Sequence, residues 1–156
     1  MESTIPVELI ERLCGPTLRV RTGIWLLPPQ ELDDAPNQAA RIGIDTVDLR
    51  QMLLAALPEG ASMVALSPSR IEELLDQIAS RPASGGCVLV CNIDLLLARL
   101  TIAQREDVWS FVYDGFAHRR SALLLVMPAT AHSLLPATTA LGQWHLAARI
   151  YPDQEF

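Results

Sequence analysis

Short continuous apolar runs alternate along the chain with stretches of helical period. Between Thr4 and Gly15, Pro6, Ile10, Leu13 and Cys14 form a narrow apolar stripe. Pro6 suits a helix start, Gly15 a stop, and Pro16 a hard end. The run Gly23-Ile24-Trp25-Leu26-Leu27 is short and unalternating, which predicts a buried strand ended by Pro28-Pro29. Residues Gln30 to Gln38 are polar and acidic and predict a loop, with room for only a token helix in the connection from Leu27 to Arg41, and Arg41 to Ile44 is a weaker second strand. Asp45 or Thr46 then caps a helix whose apolar positions are Leu49, Met52, Leu53, Ala56 and Leu57, closed by Pro58-Glu59-Gly60. Met63 to Leu66 is a short extended stretch. Ser69-Arg70-Ile71-Glu72 has capping-box spacing, and Ile71, Leu74, Leu75 and Ile78 carry that helix to about Ser80.

Pro82 to Gly86 is rich in turn formers. Cys87-Val88-Leu89-Val90-Cys91 is apolar on both faces, as in a central parallel strand. Helical period returns from Thr101 to about His118 with Val108, Phe111, Val112 and Phe116. Ala122 to Met127 is another buried strand. Thr130 to Leu141 predicts a short helix interrupted at Pro136, and His145 to Ile150 a last strand. Strands alternating with helices imply right-handed crossovers. The expected fold is a three-layer α/β domain over residues 1–156, with a mostly parallel sheet of about five strands and helices on both faces.

Composition narrows the function. The chain has 156 residues, half of them hydrophobic and 19% charged, which excludes a disordered chain and allows one proper core. All 12 basic residues are arginine, so Schiff-base lysines, Ser-Lys dyads and the phosphate-binding lysine of a P-loop are excluded. A net charge of −6 opposes a role in gripping nucleic acid backbone. The start, Met1-Glu2-Ser3-Thr4, has neither the basic nor the apolar region of a signal peptide, and no apolar run approaches the roughly 20 residues that span a bilayer. Three cysteines, Cys14, Cys87 and Cys91, fit a reducing cytoplasm better than a disulfide framework. The expectation is a cytoplasmic protein without membrane insertion or direct nucleic acid binding.

In a doubly wound sheet the site is expected just beyond the C-terminal ends of the strands. After the first strand stands Pro28-Pro29-Gln30-Glu31-Leu32-Asp33-Asp34. Proline has no N–H to offer a phosphate, and three carboxylates repel one. After the third strand stands Cys91-Asn92-Ile93-Asp94, where an Asp in place of Cys91 would hold Mg²⁺. A neutral thiol is a poor Mg²⁺ ligand. The plainer role of Asn92 and Asp94 is to cap the segment that follows; the alternative is the remnant of a site.

Cys87 and Cys91 point the same way from one strand but lie about 13 Å apart, so they cannot share a metal and are expected in the core, like Cys14 on its helix. His132 and His145 have no spaced partner for a metal, and no G-x-S-x-G elbow is present. The only basic cluster, His118-Arg119-Arg120, is placed at a helix end, where it would meet the helix dipole or a partner's carboxylates. Trp109 lies off the main apolar stripe and is expected as an exposed anchor for a protein partner.

Three segments carry a resemblance: Ile44-Asp45-Thr46-Val47-Asp48-Leu49, Leu89-Val90-Cys91-Asn92-Ile93-Asp94, and Gly115-Phe116-Ala117-His118-Arg119-Arg120-Ser121. Together they span roughly Arg41 to Met127 and resemble the BrxF-type P-loop subunit of BREX anti-phage defence systems. The Walker A segment is missing, and Cys91 stands where the Walker B acid belongs. The resemblance therefore implies a degenerate P-loop-type fold, without catalytic residues, cofactor or metal, acting as an interaction subunit. Its partners would be larger proteins, such as other subunits of a defence complex, bound around Trp109, His118, Arg119 and Arg120; a homo-oligomer is compatible. Two alternatives remain: an enzyme or nucleotide sensor with a site near Asn92 and Asp94, and a regulatory NTPase-like module of a secretion complex, such as that of cellulose-secretion proteins.

Overall fold

The computed structural model describes residues 4–57, 66–117 and 119–152. Five strands form one sheet: β1 (Thr22–Leu27), β2 (Asp45–Asp48), β3 (Cys87–Cys91), β4 (Ala122–Pro128) and β5 (Ile150–Tyr151), in the order β2-β3-β4-β1-β5. Every ladder in it is parallel. An isolated antiparallel bridge, Val20 to Ala117, joins the segments that lead into β1 and β4.

Alternate side chains of the strands serve two cores. On one face Trp25, Leu27, Cys87, Leu89, Leu124 and Val126 pack under α1 (Val7–Cys14) and α2 (Ala35–Arg41). On the other, Ile24, Val88, Val90, Leu123, Leu125 and Met127 pack under α3 (Leu49–Ala56), α4 (Pro68–Ala79), α5 (Ile93–Leu97), α6 (Ile102–Asp114) and α7 (Thr138–Leu146). This is the three-layer α/β arrangement expected of unalternating buried strands.

The strands with two buried faces lie within a residue of their sequence-based bounds. The departures cluster where the chain meets water. The acidic segment after β1 holds more than a token helix: Pro29–Asp34 is 3-10 helix and runs into α2. Asp34 accepts from the Asn37 and Gln38 side-chain amides, and Gln38 Oε1 accepts from the Ile5 amide at 2.7 Å. Polar side chains thus order this segment where apolar periodicity gives no sign. The second strand is not Arg41–Ile44. α2 continues through Arg41, Gly43 turns the chain at φ +80, and β2 begins at Asp45. As an edge strand with Asp45 and Thr46 exposed, β2 lacks the apolar signature of the interior.

Helix starts shift for a similar reason. α3 is capped by Asp48, not Asp45 or Thr46; Asp48 Oδ1 accepts from the Gln51 amide at 3.1 Å. α4 starts at Ser67 rather than Ser69, because Pro68 fills the first helical position, where a missing N–H costs nothing. Thr101 and Gln104 form a reciprocal capping box on α6. α6 ends at Asp114, short of His118, where the Phe111 ring lies against Gly115 so closely that a Cβ there would meet it at 2.6 Å. The predicted helix at Thr130–Leu141 is instead a 3-10 turn at His132–Leu134 followed by α7 beyond Pro136. His145 lies in α7, so the last strand shrinks to Ile150–Tyr151. Pro58-Glu59-Gly60 and Met63–Ala65 lie outside the described residues. No helix among the described residues is long and apolar enough to cross a membrane.

Candidate functional site

Parallel strands direct their C-terminal ends to one edge of the sheet, and there β2 and β3 finish side by side with Asp48 in register with Cys91. The next residue, Asn92, takes a left-handed conformation (φ 64) that turns the chain sharply from β3 into α5. Asparagine tolerates that conformation better than most residues. Its side-chain amide donates to Asp48 Oδ2 at 2.8 Å. Asp48 therefore caps α3 with one oxygen and holds the β3–α5 turn with the other. Asn92 makes no side-chain cap on α5, so the capping role expected for it is replaced by this bond across strands.

Asp94 lies in the first turn of α5, half-buried; burial raises its carboxyl from the usual range, opposed by backbone amides at Asp94 and Leu95. Cys91 is pushed up to about 11 by burial, with the charges of Asp48 and Asp94 adding to the rise. It is a neutral thiol at pH 7. Among the described residues no group of three or more His, Cys, Asp or Glu side chains is placed to hold a metal ion. The segment after β1 starts from the same edge. There the Ala129 amide donates to the Leu27 carbonyl and the Glu31 amide to that of Pro28, so these N–H groups serve the chain itself.

Of the residues expected to form a partner surface, Trp109 is not on the surface. Trp109 is only 3% exposed; its indole N–H donates to the Leu134 carbonyl at 2.8 Å and its ring meets Trp144 edge-on at 6.1 Å. It is a core residue, and its position off the main stripe reflects the extra layer supplied by α7 and the turn before it. Arg119 and Arg120 lie not at a helix end but in the link to β4. Arg119 binds Asp76 at 2.6 Å and the Ala117 carbonyl at 2.9 Å, whereas Arg120 is exposed. His118 lies outside the described residues.

The opposite, N-terminal edge holds two features that the sequence did not single out. Arg149 is 5% exposed, donates to the Thr22 carbonyl at 2.8 Å and to Thr22 Oγ1, and lies over the rings of Tyr113 and Trp144 at 4.7 and 4.6 Å. Burial lowers it to about 10, so it stays charged at neutral pH. Cys14, at the end of α1, packs against the cluster that holds Cys87, the first residue of β3; its thiol donates to the Gly85 carbonyl at 3.5 Å, and the two thiols influence each other's ionisation. Both contacts join segments far apart in the chain, and local spacing carries no signal of either.

Comparison with protein-family models, with curated proteins and with solved structures finds no match to the chain.

Proposed function

We propose that this chain is a non-catalytic, degenerate P-loop-type subunit that binds larger protein partners. The observation carrying this reading is the C-terminal edge of the sheet, where a nucleotide would be expected. Pro28 and Pro29 open the segment after β1, Glu31, Asp33 and Asp34 follow, and the third strand closes on a neutral thiol at Cys91. The edge is filled by bonds within the chain, chief among them Asp48 to Asn92. The position of β1 inside the sheet, between β4 and β5, supports the P-loop-type layout. The resemblance of the β3 segment and the link before β4 to BrxF-type proteins makes a bacterial defence assembly the first place to seek the partner.

A second reading has its own observation: a half-buried Asp94 with a raised carboxyl pKa beside the left-handed turn at Asn92 is the kind of group a small-ligand site uses. One pair of measurements separates the two. The tagged protein is purified from its native cells and, separately, melted with nucleoside triphosphates and Mg²⁺. Stoichiometric co-purification with a larger protein, with no nucleotide-induced shift in melting, is expected. Recovery of the lone chain, together with a nucleotide-induced shift that disappears in Asp94→Ala, would replace the subunit reading with the sensor.

A further inference from the structure

The N-terminal edge of the sheet brings two cysteines into contact and leaves one of them open. Cys14 ends α1, and Cys87 begins β3 beneath it, fully buried. The turn before β3 makes their approach possible. Gly85 and Gly86 both take left-handed φ, +70 and +74; the Gly85 carbonyl lies 3.5 Å from Cys14 Sγ, and a Cβ on Gly86 would lie at 3.5 Å from the same sulfur. Cys14 is half-buried and lines an open cavity with Pro16, Leu18, Arg19, Arg21 and Arg119. Arg19 pairs with Asp114 and Arg119 with Asp76, whereas Arg21 donates to the neutral Arg119 carbonyl. Cys91, by contrast, sits at the far end of β3, four residues from Cys87.

We propose that Cys14 and Cys87 are a peroxide-reactive thiol pair, in which Cys14 meets the oxidant at the cavity and Cys87 converts the product into an intramolecular disulfide. Cys87 and Arg21 favour the Cys14 thiolate, against burial and against the Gly85 carbonyl, to which the thiol donates. The Cys87 thiol donates to it and the Arg21 charge lies nearby, and against the cost of burial they bring it down to about 7. The same contact, with burial, drives the Cys87 thiol upward, so it keeps its proton while Cys14 is anionic.

In the first step Cys14 Sγ attacks one oxygen of a hydroperoxide. The S–O bond forms and the O–O bond breaks; the sulfur loses two electrons, and the departing hydroxide or alkoxide takes a proton from water. Cys14 is then a neutral sulfenic acid, and the negative charge that held the proton on Cys87 is gone. In the second step Cys87 Sγ attacks Cys14 Sγ. The S–S bond forms, the S–O bond breaks, and the hydroxyl leaves as water with the Cys87 proton. The product ties the end of α1 to the start of β3.

The test uses the full-length protein, reduced and then treated with hydrogen peroxide, followed by alkylation and peptide mass mapping. The expected product is a single intramolecular link between the Cys14 and Cys87 peptides, with Cys91 free. Cys87→Ser and Cys87→Ala are expected to stop instead at a Cys14 sulfenic acid that a 1,3-diketone probe traps. Should both variants fail to fold, limited alkylation of the untreated wild type still decides: Cys14 is expected to react at least roughly ten-fold faster than Cys91 at neutral pH. Equal rates for Cys14 and Cys91, a link only between molecules, or accumulation of Cys14 sulfinic acid with Cys87 unmodified would each overturn the proposal.

Discussion

The two edges of the parallel sheet differ in a way that reverses the usual expectation. At the C-terminal edge, where function in doubly wound folds concentrates, Asp48 and Asn92 satisfy each other and Cys91 is a neutral thiol. At the N-terminal edge, a charged guanidinium is buried at Arg149, and Cys14 lines a cavity with Arg19, Arg21 and Arg119. A fold therefore marks where a site is geometrically convenient, but the side chains decide whether that place is used. Here Asp48 at the C-terminal edge caps α3 and holds the turn into α5, whereas the proposed thiol pair lies on the other edge.

Replacing Arg149 tests that contrast most severely. Arg149→Ala would strip the Thr22 carbonyl of its donor and uncover the faces of Tyr113 and Trp144, at an expected cost of about 3 kcal/mol in urea unfolding. Arg149→Met, which keeps the stem and removes the charge, should recover part of this. A loss below about 1 kcal/mol for the alanine variant would mean that the N-terminal edge does not depend on its buried cation.

The C-terminal edge is expected to respond more mildly. Asp48→Ala and Asn92→Ala should each cost about 1 to 2 kcal/mol, and their double-mutant cycle should return a coupling of about 1 kcal/mol. Strict additivity would show that the 2.8 Å contact contributes nothing and would reopen Asp48 and Asn92 to a ligand role.

The smallest effect is expected at Asp94. Burial raises its carboxyl pKa above the ordinary value, so the folded protein prefers the neutral form. Its contribution is favourable at low pH and is lost as pH rises through the raised value. Asp94→Asn, permanently neutral, should therefore be slightly more stable than wild type at pH 7, by no more than about 0.5 kcal/mol, with the difference vanishing in acid. A destabilised variant at pH 7 would mean that the carboxylate itself is held by the structure, which would favour the ligand-site reading.

The buried interior was legible in the chain because burial on two faces demands unbroken apolar runs. Cys87–Cys91 and Ala122–Met127 announce themselves as strands, and the stripe of Ile71, Leu74, Leu75 and Ile78 announces a helix. Tertiary structure decided the rest. β2 and the 3-10 segment are ordered by an edge pairing and by Asp34 and Gln38, whose partners no periodicity reveals. Trp109 became core because α7 returns to cover it, and Asp48 gained Asn92 because parallel pairing sets the ends of β2 and β3 together. Cys14 met Cys87 because α1 packs across β3, a contact between residues whose separation in sequence hides it. Local pattern records which faces avoid water; which polar and sulfur groups meet is fixed only when distant segments close on one another.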